Sequence, residues 1–152
     1  MLKRWWRVVV PATVAVVAAG AGVTAAMAGE LDDDPANNRL QTRTTLVCDT
    51  DGSVRLRWSS IVPGIAESMT ATWYDATADP YLSSPKAATV FAVRPGEHTL
   101  TGSFRLAGIA AGHQVALFVD AWSGPGGTGE QVYGLGRAVD TYFPCVNGNP
   151  TG

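Results

Sequence analysis

"HQVALFVDAWSGPGGTG", His113 to Gly129, alternates for seven residues and then gives way to glycine. Val115, Leu117, Val119 and Ala121 fall on one phase, and Ala116, Phe118 and Asp120 on the other. A period of two over that length marks a strand with one face turned to a core. Gly124 to Gly129 also spell G-x-G-x-x-G. That fingerprint binds a dinucleotide only when a helix opens directly after the glycines and receives the pyrophosphate at its N-terminus. The next residues, "EQVYGLG", hold two glycines and no helical period. The stretch therefore reads as a strand and the loop after it.

The same signal recurs on both sides. "TTLVC" (Thr44 to Cys48) meets the turn "DTDG" (Asp49 to Gly52), and "SVRLRW" (Ser53 to Trp58) follows, with Val54, Leu56 and Trp58 alternating against Arg55 and Arg57. Asp-Gly between two such runs is a hairpin signature. A calcium loop would need a further Asp and a bidentate Glu, where this chain has Ser60. Then come "MTATWYD" (Met69 to Asp75), "ATVFAV" (Ala88 to Val93), "HTLTGSFRL" (His98 to Leu106) and "GRAVDTYF" (Gly136 to Phe143). Pro63-Gly64, Asp79-Pro80, Ser84-Pro85 and Pro95-Gly96 punctuate them. Seven short runs with turns between them predict an all-β domain, a seven-stranded antiparallel β-sandwich or small barrel.

Ahead of the domain, Lys3, Arg4 and Arg7 precede an uncharged run from Val8 to Ala25, and Ala26-Met27-Ala28 offers a small-x-small exit. These are the three parts of a secretory signal peptide, a helical segment spanning 1–28, against which an uncleaved anchor is the competing expectation. Removing it leaves 124 of the 152 residues, enough for one domain. Eight Lys and Arg then face 13 Asp and Glu, and an acidic surface repels phosphate backbones, so nucleic acid is not an expected partner. Arg far outnumbers Lys, with Ala and Gly abundant, a usage that suits a G+C-rich bacterial genome. Residues 29–43, with Asp32, Asp33 and Asp34, read as a flexible acidic linker, 44–146 as the sandwich, and 147–152 as a flexible tail. Cys48 and Cys145 both lie in the exported part, where an even count favours a disulfide. Secretion as a monomer, without stable membrane insertion after cleavage, is the expected fate.

"VRLRW", and "RLAGIAAGHQVALFVDAWSGPGGTGEQ" with Ile109, Gly112, Val115, Leu117, Val119 and Ala121, resemble the fibronectin type III pattern over Thr44 to Phe143. That family carries a second-strand Trp, then leucine, glycine and a Y-x-V-x-V-x-A strand leading into a Gly-rich loop. Val115 stands where the family places its corner Tyr, and the family usually lacks a disulfide, so another immunoglobulin-like lineage stays open. In such a sandwich the first and seventh strands run the same way and end at one pole, which brings Cys48 to Cys145. The resemblance also makes the third, sixth and seventh strands neighbours in one sheet. Tyr74, Phe118, Trp122 and Tyr142, each out of phase with apolar neighbours, would then form one exposed aromatic strip, a candidate binding surface. Trp58, Trp73, Leu117 and Val119 are expected in the core.

The chain carries no G-x-S-x-G, no free Cys and no metal-ligand spacing, and His98 and His113 each stand alone at a turn. No catalysis and no cofactor are expected; an enzyme would need one of those histidines to meet a carboxylate in a cleft. The leading expectation is an exported binding or adhesion module for a protein or a cell-wall glycan. The alternative is a secreted hydrolase inhibitor. "FAVRPGEHTLTG" (Phe91 to Gly102) distantly resembles the small bacterial α-amylase inhibitors, although their Trp-Arg-Tyr motif is missing.

Overall fold

A computed structural model describes residues 38–151; the expected signal peptide, most of the linker and Gly152 lie outside the described residues. The described residues are all-β and sandwich-like. Its main strands are β1 (Arg43–Cys48), β2 (Val54–Ile61), β3 (Ser68–Asp75), β4 (Ala87–Ala92), β5 (Thr99–Leu106), β6 (Gln114–Trp122) and β7 (Gln131–Thr141). They form two antiparallel sheets, ordered β1-β2-β5 and β4-β3-β6-β7. A short hairpin, β8 (Cys145–Val146) with β9 (Asn149–Pro150), follows.

Alternation sets which side chains meet between the sheets. Val54, Leu56 and Trp58 of β2 and Leu100, Phe104 and Leu106 of β5 face Met69, Ala71 and Trp73 of β3 and Val115, Leu117, Val119 and Ala121 of β6, and all of them are buried. The two sheets lock where Trp58 meets Phe91 of β4 edge to face at 5.4 Å. Trp58 also fixes its cross-strand partner, Gly102. A Cβ there would sit 2.5 Å from the indole Cζ2, so only glycine leaves the ring room. Gly102→Ala is expected to lower stability by about 1–3 kcal/mol, the cost of overpacking a filled core; a urea midpoint equal to the parent's would show that the ring shifts freely.

The sandwich begins before the boundary drawn from sequence. In the stretch read as linker, Leu40 and Thr42 are buried. The Asn38 side chain bonds the backbone of Thr42 in both directions and accepts from the Arg137 N–H. Thr42 and Ser60 share a buried hydroxyl contact at 2.6 Å. Gly136 makes the crossing possible, because any Cβ there would collide with Thr42. At the other end, the stretch read as tail folds into the β8–β9 hairpin. Asn147 and Gly148 both adopt positive φ, as a tight two-residue turn requires. Cys48 and Cys145 are joined, with Cα atoms 5.8 Å apart and a separation of 97 positions along the sequence.

Candidate functional site

The expected aromatic strip does not form. Tyr74 and Phe118 do lie on the outer face of the four-stranded sheet, but they are 2% and 1% exposed. They meet edge to face at 5.6 Å and, with Ala116, make a second small core packed by Ala76, Leu82, Leu135 and Val139. Arg137, the cross-strand partner of Phe118, lays its guanidinium over the ring at 4.7 Å. Trp122 is half-buried and donates its indole N–H to Thr70 Oγ1 at 2.9 Å. Tyr142 packs against the main core instead, because β7 turns Gly136 and Ala138 inward and carries Tyr142 on the same phase. Outward phase did not mean exposure, since the 76–86 connection and long β7 side chains cover this sheet.

The glycine loop is tied down. The Ser68 hydroxyl donates to the Gly124 carbonyl at 2.6 Å and accepts from the Gly127 N–H at 2.9 Å. The Gly124 N–H goes to the Thr128 carbonyl. Two of the amides that a phosphate would need are thus already used, and β7 follows the loop where a dinucleotide site needs a helix. In the "DTDG" turn, Arg55 bonds both oxygens of Asp49 at 3.0 and 3.1 Å, and this holds the carboxyl below its ordinary pKa. Ser53 bonds Asp51 through its hydroxyl and its N–H, with the same direction of shift. Both carboxylates serve the turn.

His113 does meet a carboxylate: its Nδ1 lies 2.9 and 3.1 Å from the two oxygens of buried Asp75. Asp75 Oδ1 also accepts from the N–H groups of Thr77 and Ala78, so the pair ties the turn after β3 to the start of β6. Among the described residues, no hydroxyl or thiol bonds to the His113 ring, and no three His, Cys, Asp or Glu side chains are placed to hold a metal ion. A shallow groove of about 420 Å³ runs between β1, β7 and β9, with Asp140 as the single ionisable side chain of its lining; neither His113 nor Asp75 lines it. The "FAVRPGEHTLTG" stretch forms the end of β4, a turn and the start of β5, and His98 is exposed there without a partner carboxylate among the described residues.

What sequence reading left apart, the β1-β2-β5 sheet joins. Its inward phase is apolar, so its outward phase carries Arg43, Thr45 and Val47 of β1, Arg55, Arg57 and Ser59 of β2, and Thr99, Thr101, Ser103 and Arg105 of β5. Four of the eight Lys and Arg beyond the signal segment thus share one face, and no acidic residue stands on it between the strand ends. The register places Arg43 opposite Ser59, Arg57 between Thr45 and Ser103, and Arg105 opposite Arg55. Arg43, Arg57 and Arg105 therefore step diagonally across three strands, each about 7–8 Å from the next at the backbone. Arg55 is held by Asp49, and Arg105 meets exposed Asp51 at 3.1 Å. Neither Arg43 nor Arg57 has an ion-pair partner among the described residues. The alternation of Arg55 and Arg57 was visible in "SVRLRW"; the diagonal needed the register.

The chain matches no protein-family model, and no curated protein is significantly similar to it.

Proposed function

We propose that this chain is an exported, non-catalytic binding module on a fibronectin type III-like sandwich, and that it holds an acidic polymer of the cell surface on the outer face of its β1-β2-β5 sheet. The division of strands into three and four, with the first beside the second and the third between the fourth and sixth, supports the family likeness. The disulfide supports an oxidising, extracellular location.

The diagonal of Arg43, Arg57 and Arg105 carries the functional reading. Guanidinium is the side chain best suited to carboxylate and phosphate, because its planar fork bonds them bidentately. Thr45, Ser59, Thr101 and Ser103 surround it with hydroxyls that both donate and accept, which suits the hydroxyls of a glycan. The outward positions of these three strands carry no aromatic ring for stacking bases, and their apolar members, Val47 and Ile61, are part-buried. The Arg105–Asp51 pair is exposed on both sides, so an incoming anion displaces it at little cost.

The test is retention of the full chain on an immobilised polyuronate at low ionic strength, with uncharged dextran as control. Arg43→Glu with Arg57→Glu is expected to weaken retention at least tenfold and to leave the thermal midpoint nearly unchanged, since exposed charges away from the core contribute about 0.5 kcal/mol or less. Salt should weaken the parent in the same direction. Equal retention of parent and double variant removes the reading.

A further inference from the structure

Each sheet has two edges, and three of the four edge strands are protected or polar. Asn38 and Arg39 lie against β7, β1 lies beside β9, and β5 alternates polar residues with Arg105. The fourth, β4, reads "AATVFA": six residues without charge or proline, exposed at Ala88, Thr89, Val90 and Ala92, and paired on one side only among the described residues. Natural edges are usually blunted by Lys, Pro or a bulge. This one has none within the strand.

The register shows which groups it offers. The Val93 N–H bonds the Glu67 carbonyl, and β4 stays in register from Ala92↔Ser68 to Ala87↔Trp73. Antiparallel partners alternate between bonded and non-bonded pairs. Thr89 and Phe91 are therefore spent on β3, and at the start of the strand the Lys86 N–H bonds the Trp73 carbonyl as well, while the N–H and C=O of Ala88, Val90 and Ala92 point away from the sheet. Phe91, packed on Trp58, anchors the strand to the core.

Charge selects the occupant. Lys86 and Arg94 bound the uncharged run, and among the described residues neither side chain has an ion-pair partner within 4 Å. The Lys86 ammonium does donate to the Gly108 carbonyl at 3.0 Å and the Arg94 N–H to the Glu97 carboxylate at 3.0 Å, bonds that an acidic segment would have to compete with or extend. A second copy pairing antiparallel about Val90 would bring Lys86 close to Arg94 at both ends of the new strand pair, and like charges so placed are destabilising. We infer that β4 takes an extended segment of a partner protein as a fifth strand of the β4-β3-β6-β7 sheet, a segment with Asp or Glu at two positions eight residues apart and uncharged residues between them. Backbone bonds to Ala88, Val90 and Ala92 supply the attachment, and the two acidic ends, set against Lys86 and Arg94, supply the selection. The arginine face lies on the other sheet, so the two readings stand or fall separately.

The probe is a synthetic peptide, acetyl-Glu-Thr-Ser-Val-Thr-Val-Ser-Thr-Glu-amide, titrated into the full chain beside a twin with Lys at both ends. The acidic peptide is expected to bind at least tenfold more tightly and to protect the amides of Ala88, Val90 and Ala92 from hydrogen exchange. Val90→Pro removes one outward N–H without touching a β3 bond and should abolish binding. Lys86→Glu with Arg94→Glu, both exposed, should transfer the preference to the Lys-flanked twin. Equal affinity for the twins, no binding up to about 1 mM, or no reversal in the double variant overturns the proposal. A concentration-dependent dimer of the parent that Val90→Pro dissolves would also overturn it, by giving the edge to a second copy.

Discussion

Trp58→Ala is expected to lower the stability of the domain by about 3–5 kcal/mol, the range for removing a large aromatic from a packed core. Trp58 is 3% exposed, stands in the central strand of its sheet, meets Phe91 of the opposite sheet and covers Gly102. Its loss opens a cavity touching both sheets, which neither can collapse alone. For a domain whose total stability falls in the usual range of about 5–15 kcal/mol, this approaches unfolding. The indole Nε1 is buried with no hydrogen-bond partner, so shape, not polarity, holds the ring. Trp58→Phe should therefore cost clearly less than Trp58→Ala. Urea titration of parent and both variants checks the order; an alanine variant within about 1 kcal/mol of the parent would place the lock between the sheets elsewhere.

Trp58 also indicates why so much of this fold was legible. Wherever a strand has one face against the core and one against water, alternation names both faces, and "SVRLRW", "MTATWYD" and "QVALFVDAW" all found their inward residues correctly. The method fails where the outward face is covered. Phe118 and Tyr74 had the right phase and the wrong environment, because the 76–86 connection and the Arg137 side chain lie over them, and no local pattern reports a long-range cover. In β7 both phases carry apolar residues, and the choice fell to Gly136, whose missing side chain admits Leu40 and Thr42. A lone leucine in "NNRLQT" has no period to announce it. The β8–β9 hairpin is a different case: Asn147-Gly148 is the strongest two-residue turn signal a sequence offers, and it stood unread inside a short polar tail.

The candidate sites divide along the same line. Arg55 and Arg57 alternate in one strand and are visible as a pair, whereas the diagonal through Arg43 and Arg105 exists only once β1 and β5 are set beside β2 in register. The exposed edge of β4 is likewise a property of sheet order. Alternation identifies faces, but it cannot say which strand lies outermost.

Breaking the Cys48–Cys145 bond should have an effect of similar size to Trp58→Ala, by a different route. The bond closes a loop of 97 residues, nearly the whole domain, and in the chain-entropy account such a loop stabilises by about 4–5 kcal/mol, with losses of about 2–5 kcal/mol typical when a small exported domain is deprived of its native bond. The gain lies in the unfolded chain, which the bond keeps compact, so the Cys48→Ala, Cys145→Ala variant should unfold at lower urea and with a steeper dependence on urea, because its denatured state exposes more surface. The folded structure has modest reserves at this pole. Cys48 ends β1, Cys145 opens β8, and beyond the bond the C-terminal hairpin is held by the Thr151 N–H and hydroxyl, both donated to the Pro144 carbonyl, and by packing of β9 on β1. Those contacts are short-range and exposed, and they cannot replace a constraint spanning the chain. A double variant with the parent's midpoint and slope would mean that β1 and β7 are joined as firmly through Leu40, Thr42 and Gly136, at the opposite end of the strands, as through the sulfur bridge.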